Sequence, residues 1–382
     1  MMREIETLEE LARWLSEPEA AREPAAVQGL DLRPHVDVLG VQAFPGSMFL
    51  GCEMSDVEAG HLVNSGAVVL KNLAKFLFAS HRRALYTPDE LFADFDLDDP
   101  EAHIKTLDHR IYAQYLEHGA YRPASIEVSL AQRLHDHSIT DALEEVLEGR
   151  KVVAIMGGHG MERSDPMYAA VARIARTLTR AGYLMISGGG PGAMEATHLG
   201  AYLANFDDDT PLARVLAILS PRPAGAEPGK EYADPDWLHR AMRVRAELPL
   251  PEEIRYHSLG IPTWHYGHEP PAAFATLIAK YFANSVREEG LLAVANHGVV
   301  FSPGSAGTTQ EIFQDAAQNH YESYGPPAPM VFLGVEHWTE TRPVWPLLQH
   351  VAAGKAYAAQ LYLTDDESKI VDRILQYTPA EA

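Results

Sequence analysis

Three glycine-rich clusters, each directly after a short apolar run, constrain this chain more than any other feature. Val152–Met156 (VVAIM) ends in Gly157-Gly158, with Gly160 close behind. Tyr183–Ile186 runs into Ser187-Gly188-Gly189-Gly190-Pro191-Gly192, and Val299–Phe301 into Ser302-Pro303-Gly304-Ser305-Ala306-Gly307-Thr308. Helical patterns follow: Val171, Ile174, Ala175 and Leu178 share one face, Ala193–Leu203 is a second helix, and Thr309 to about Tyr321 a third. Short apolar strands alternating with helices signal a parallel sheet covered on both faces. Ligands in such folds bind beyond the carboxyl ends of the strands, where these clusters lie.

Further elements are expected around this frame. Val215–Leu219 and Met330–Leu333 read as strands, and Ala272–Glu289 and Glu367–Leu375 as helices. With 382 residues, and about 150 residues per domain as the usual prior, two domains are expected, divided near residue 150. In the first, His35–Phe44, Met48–Met54 and Ala67–Leu70 look like strands. Residues 5–15, Ser55–Gly66, Ile104–Glu117 and Ile126–Leu147 look helical, with Ser138 and Asp141 marking a plausible helix start. The expected fold is α/β: a Rossmann-like parallel sheet with helices on both faces over 151–382, preceded by a smaller α/β or α+β accessory domain over 1–150.

Charge narrows the partners. Fifty-three acidic against 31 basic residues leave a formal net charge of -22, which argues against nucleic acid or anionic membrane as a partner. A small anion is not excluded, because a pocket can be locally positive inside an acidic protein. Cys52 is the sole cysteine, so an intramolecular disulfide and a cysteine-built zinc site are ruled out. The first twenty residues carry Glu4, Glu6, Glu9, Glu10 and Glu17 where an export signal has a basic start and an apolar run. No stretch approaches the ~20 apolar residues of a membrane span. A cytoplasmic protein is expected.

Glycine permits close backbone approach and positive φ. A loop that opens a helix also presents unpaired N–H groups, and the two together make an anion site without lysine. Pro303–Thr308 suits this role, with the Thr308 hydroxyl as an added donor. It lacks the Gly-Lys-Ser/Thr of a phosphate-binding P-loop, and Gly188–Gly192 lacks the dinucleotide spacing. The plainer reading is that these glycines only tighten strand-to-helix turns. Likewise Thr308 and Glu311 have capping-box spacing, so Glu311 is either a cap or a carboxylate facing a ligand.

Ser187-Gly188-Gly189-Gly190-Pro191-Gly192-Ala193-Met194-Glu195-Ala196 resembles the GGGPGxMEA motif of the LOG family. Pro303-Gly304-Ser305-Ala306-Gly307-Thr308-Thr309-Gln310-Glu311 resembles that family's PGGxGTxxE motif. The resemblance covers about residues 151–375. It departs from the family at Ser305, which replaces the second glycine of PGG. It departs also around Arg287, which best matches the family's arginine but stands in a different tetrad, Asn284-Ser285-Val286-Arg287. The family was long labelled lysine-decarboxylase-like, and its characterised members are nucleoside 5′-monophosphate phosphoribohydrolases.

The resemblance implies cleavage of a nucleoside monophosphate to free base and ribose 5-phosphate, without cofactor or metal, by a homodimer or higher homo-oligomer. Glu311 would stabilise positive charge developing at C1′. Arg287 would hold substrate or Glu311; its bland alternative is a surface ion pair with Glu288 or Glu289. Gly157, Gly158, Gly188, Gly189, Gly190, Gly192, Met194, Glu195, Gly304, Ser305, Ala306, Gly307 and Thr308 would line the substrate, although Met194 is as well suited to the core. A nucleotide-binding sensor without turnover is the alternative function. A pyridoxal-phosphate enzyme needs a Schiff-base lysine, and no lysine after residue 150 lies in a glycine motif. His265, His268 and Glu269 lack the helix-borne spacing of a zinc site. Trp264 and Tyr266 suit packing better than stacking on a base, and His135 and His137 suit surface or capping roles. His159 and His297 lie near strand ends, close to the expected crevice.

Overall fold

A computed structural model describes the chain except residues 1, 36–38, 41, 74, 208–210, 222–226, 228, 235, 267–270, 272 and 380–382. The chain divides into two compact units: residues 1–85 with 113–146, and residues 86–112 with 147–382. The division differs from a single cut at residue 150, because residues 86–112 belong to the second unit. Tyr86 bridges Ile278 at the sheet edge, and the buried Lys280 ammonium pairs with Asp108.

The first unit is built on a four-stranded parallel sheet in the order β1 (Arg3–Ile5), β2 (Ala25–Gln28), β3 (Met48–Leu50), β4 (Val68–Leu70). It is thus α/β rather than α+β. Thr7 caps the helix Leu8–Leu15 through a capping box with Glu10, which separates that helix from β1 and breaks the single helix expected over residues 5–15. Ser55 and Glu58 cap Asp56–Asn64 in the same way. The expected strand His35–Phe44 is absent at its described residues: His35 lies in a 3-10 turn, and residues 36–38 and 41 lie outside the description. Helix Ile126–Leu147 runs unbroken through Ser138, so Ser138 starts no helix; its hydroxyl donates to the His135 carbonyl. His135 is fully buried in that helix, not a surface or capping residue. Leu11, Trp14, Val27, Phe44 and Phe49 centre a separate core.

The second unit is a seven-stranded, wholly parallel sheet in the order β11-β10-β9-β5-β6-β7-β8. The strands are β5 (Val152–Met156), β6 (Leu184–Ser187), β7 (Ser258–Gly260), β8 (Leu277–Ile278), β9 (Val299–Phe301), β10 (Met330–Leu333) and β11 (Leu361–Thr364). All residues of β5, β6, β9 and β10 are buried, as strands covered on both faces require. The order reverses between β5 and β9, where an open α/β sheet forms its crevice.

Two expected elements are replaced. Val215–Leu219 belongs to helix Pro211–Leu219, whose buried Leu212, Val215 and Leu219 recur at helical spacing after an initial proline. The long helix expected over Ala272–Glu289 is instead β8, a turn, and helix Asn284–Ala293. Thr276 starts that change: its hydroxyl donates to the Ser258 carbonyl at 3.0 Å and accepts from the Ser258 N–H at 2.9 Å, stitching the segment to β7. Among the described residues no helix is long and apolar enough to cross a membrane.

Candidate functional site

Beyond the carboxyl ends of β5, β6, β7 and β9 opens a cleft of about 460 Å³. That size suits a small-molecule ligand. Its walls include Met156 at the end of β5 and Gly157 and Gly158 after it, Gly189 and Gly190 after β6, and Pro262, Thr263 and Tyr266 after β7. Helix Asn284–Ala293 contributes Arg287, and helix Ala306–Tyr321 contributes Ala306, Gly307, Thr308 and Glu311, with Ser305 just before it.

Packing explains many of the glycines. A side chain at Gly304 would collide with Thr308, one at Gly157 with Ser302 and Ala193, and one at Gly188 with Met194 and Arg287. Gly192 has φ of 70° and leaves no room below the Gly158 carbonyl. Packing alone thus requires glycine at these positions; Gly157 also lines the cleft, whereas Gly188, Gly192 and Gly304 are not among its lining residues. Gly307 is different: a methyl group there would meet nothing within 4 Å. It occupies the open first turn of a 16-residue helix, where the leading N–H groups have no partner within the helix.

The glycine loops are held from behind. The Gly158 N–H donates to the Pro303 carbonyl at 3.0 Å, and the Ala193 N–H to the Gly158 carbonyl at 3.2 Å, joining all three loops. His198 lies 3.1 Å from the Gly188 carbonyl and 3.2 Å from the Ser258 hydroxyl. Burial lowers its pKa to about 4, so the neutral ring donates through Nε2 and accepts through Nδ1.

Glu311 lies in the second turn, whereas Ser305 is the N-cap and Thr308 the third residue of the helix. The spacing therefore forms no capping box, and the cap reading of Glu311 falls. Its carboxyl is half-buried in the cleft wall. Burial raises its pKa to about 7; Arg287 opposes that rise and Glu288 adds to it. Arg287 donates through Nε to the Ile261 carbonyl at 2.8 Å. It forms no ion pair with Glu288 or Glu289: Glu288 accepts from Asn284 at 2.7 Å and from Gln310 at 3.3 Å, and Glu289 from the Tyr324 hydroxyl at 3.0 Å.

Glu195 is not on the cleft wall. It is fully buried, and Arg163 clasps it with two bonds of 2.8 and 2.6 Å while the Tyr168 hydroxyl adds a third at 2.9 Å. Its place directly after the glycine loop reflects this internal ion pair rather than substrate contact. Met194 does line the cleft.

Sequence reasoning missed Tyr232, Pro262 and Thr263, which reach the cleft from irregular segments. Tyr232 meets His159 edge to face at 5.9 Å. Tyr266 is 45% exposed in the wall, whereas Trp264 is buried against Phe282, with ring centres 4.5 Å apart. Of the two aromatic candidates, only Tyr266 faces the cleft. His297 precedes β9 and so lies at the opposite end of the strand from the cleft; His159 lines it. His268 and Glu269 lie outside the described residues.

No protein-family model matches this chain. No curated protein matches it either. Among solved structures, it is similar to the molybdenum cofactor binding protein of the phototrophic bacterium Rippkaea orientalis. The identity is 12% over 60% of this chain and 97% of that one, with a TM-score of 0.36. It is similar also to the molybdenum cofactor carrier protein of Chlamydomonas reinhardtii, at 12% identity over 59% and 97% of the two chains and a TM-score of 0.36. Similarity at this level assigns no ligand to this chain.

Proposed function

We propose that this chain is a LOG-like enzyme that hydrolyses the N-glycosidic bond of a nucleoside 5′-monophosphate. One observation carries the reading: Glu311, Arg287 and the open first turn of helix Ala306–Tyr321 all face one cleft. The free N–H groups around Gly307 would hold the 5′-phosphate. Glu311, one turn further on, then stands beside the ribose. As the C1′–N bond breaks, its electron pair passes to the base and positive charge develops on the sugar. Ionised Glu311 stabilises that charge and orients the water that adds to C1′, and the water's proton ends on the departing base. Arg287 keeps a larger share of Glu311 ionised, because its charge opposes the effect of burial. Tyr266 offers a ring for the base.

A nucleotide-binding protein without turnover is the second reading. Ser305 favours it: this exposed N-cap makes no side-chain bond to the helix and stands where the LOG motif has glycine. Substituting Glu311→Gln separates the two. For an enzyme, base release falls at least about a hundredfold while nucleotide binding persists. For a sensor, the wild-type chain binds a nucleotide and releases no base. A homodimer or larger assembly in the cytoplasm belongs to the same reading; light scattering on the purified chain tests the assembly.

A further inference from the structure

We propose that the pole of the seven-stranded sheet opposite the glycine loops holds a second binding site, for a small phosphorylated compound. At the amino ends of β5, β6 and β7 lies a separate cavity of about 440 Å³. Strands rise about 3.3 Å per residue, so the length of five-residue β5 separates it from the cleft. Arg150, Lys151 and Arg255 line it together with Thr179, Tyr183, Tyr256 and His257, and no carboxylate is among its lining residues. In a chain with a net charge of -22, that is a local reversal of sign.

The cations are uncommitted, since none of the three forms an ion pair among the described residues. Lys151 and Arg255 rest near the Tyr183 and Tyr256 rings, at 5.9 and 5.2 Å from their centres. Thr179 is a second, independent mark. It is 1% exposed, and its hydroxyl has no hydrogen-bond partner. A buried hydroxyl left unpaired is costly, and a small outward turn of this side chain would bring the hydroxyl to an anion's oxygen in the cavity.

The surrounding backbone is fixed, so recognition of an anion falls to the three cationic side chains. Helix Pro166–Arg180 ends at this cavity, but the Thr177, Leu178 and Thr179 carbonyls already accept from the N–H groups of Ala181 and Gly182. Asn296 pins the strand entrance, donating to the Arg150 carbonyl at 3.1 Å and accepting from the Val152 N–H at 2.9 Å.

The test is calorimetric titration of the full chain with inorganic pyrophosphate, and in parallel with ADP, which carries the same diphosphate on a nucleoside. The wild-type chain should bind one more equivalent than the triple variant R150Q/K151Q/R255Q. Thr179→Val, nearly isosteric, should keep or raise the melting temperature and weaken binding at this pole about tenfold. Equal affinities for the two probes assign recognition to the phosphates alone, and tighter ADP binding assigns a nucleotide; both support the site. A triple variant with unchanged stoichiometry overturns the proposal, and so does Thr179→Val with unchanged affinity. Neither result depends on base release, so this site and the proposed activity fail separately.

Discussion

Glu311 is a carboxyl whose protonation sets its usefulness. Stabilising a cationic sugar requires the ionised form, and burial raises the pKa to about 7. Base release should therefore climb as pH rises through about 7, and a pH–rate profile checks it. Arg287→Ala removes the charge that holds this pKa down, so the rising limb should move to higher pH; Arg287→Lys should move it less. Glu195 should behave as a structural residue. Glu195→Ala leaves the buried Arg163 guanidinium unpaired and should cost about 3–5 kcal/mol of stability, seen as a lower denaturant midpoint. The sequence carried Glu311 and Arg287 into the site because motif order encoded them. It misplaced Glu195 because its partner, Arg163, lies 32 positions away in sequence with no pattern linking the two.

At the scale of elements, the two glycines of the last loop differ in what surrounds them. Gly304→Ala drives a methyl group into Thr308 and should destabilise the turn. Gly307→Ala meets no protein atom within 4 Å and should keep or slightly raise the melting temperature while weakening nucleotide binding, because the proposed phosphate would occupy that space. Thermal melts with and without AMP distinguish these outcomes. Strands such as Val152–Met156 and Val299–Phe301 were legible because full burial makes them continuous apolar runs bounded by glycine. The edge strands β8 and β11 were not: two to four residues long, they carry too little pattern. Helix Pro211–Leu219 was misread because VLAIL is apolar enough to suit either element, and only its buried spacing decides.

For the whole molecule, pH dependence of stability follows from the carboxyls buried along one helix. Asp315 is buried, bonded to Asn319 at 3.0 Å, and burial raises its pKa from the ordinary carboxylate range to about 8. The folded state holds this proton more tightly than the unfolded state does. Its stabilisation is complete below the unfolded value and is lost as pH rises toward about 8. Asp315→Asn should flatten that decline, as chemical denaturation across the pH range would show. In the first unit's parallel sheet, β3 and β4 were legible as strands, whereas β1 and β2 escaped sequence reading because they are three and four residues long, and a capping box hides between β1 and its helix. The central claim concerns Glu311 and one reaction. The direct measurement incubates the purified chain separately with AMP, GMP, CMP, UMP and IMP and resolves free base by chromatography, with Glu311→Gln alongside. Release from at least one nucleotide, lost in Glu311→Gln, is the predicted result; no release from any, or equal release by the variant, contradicts it.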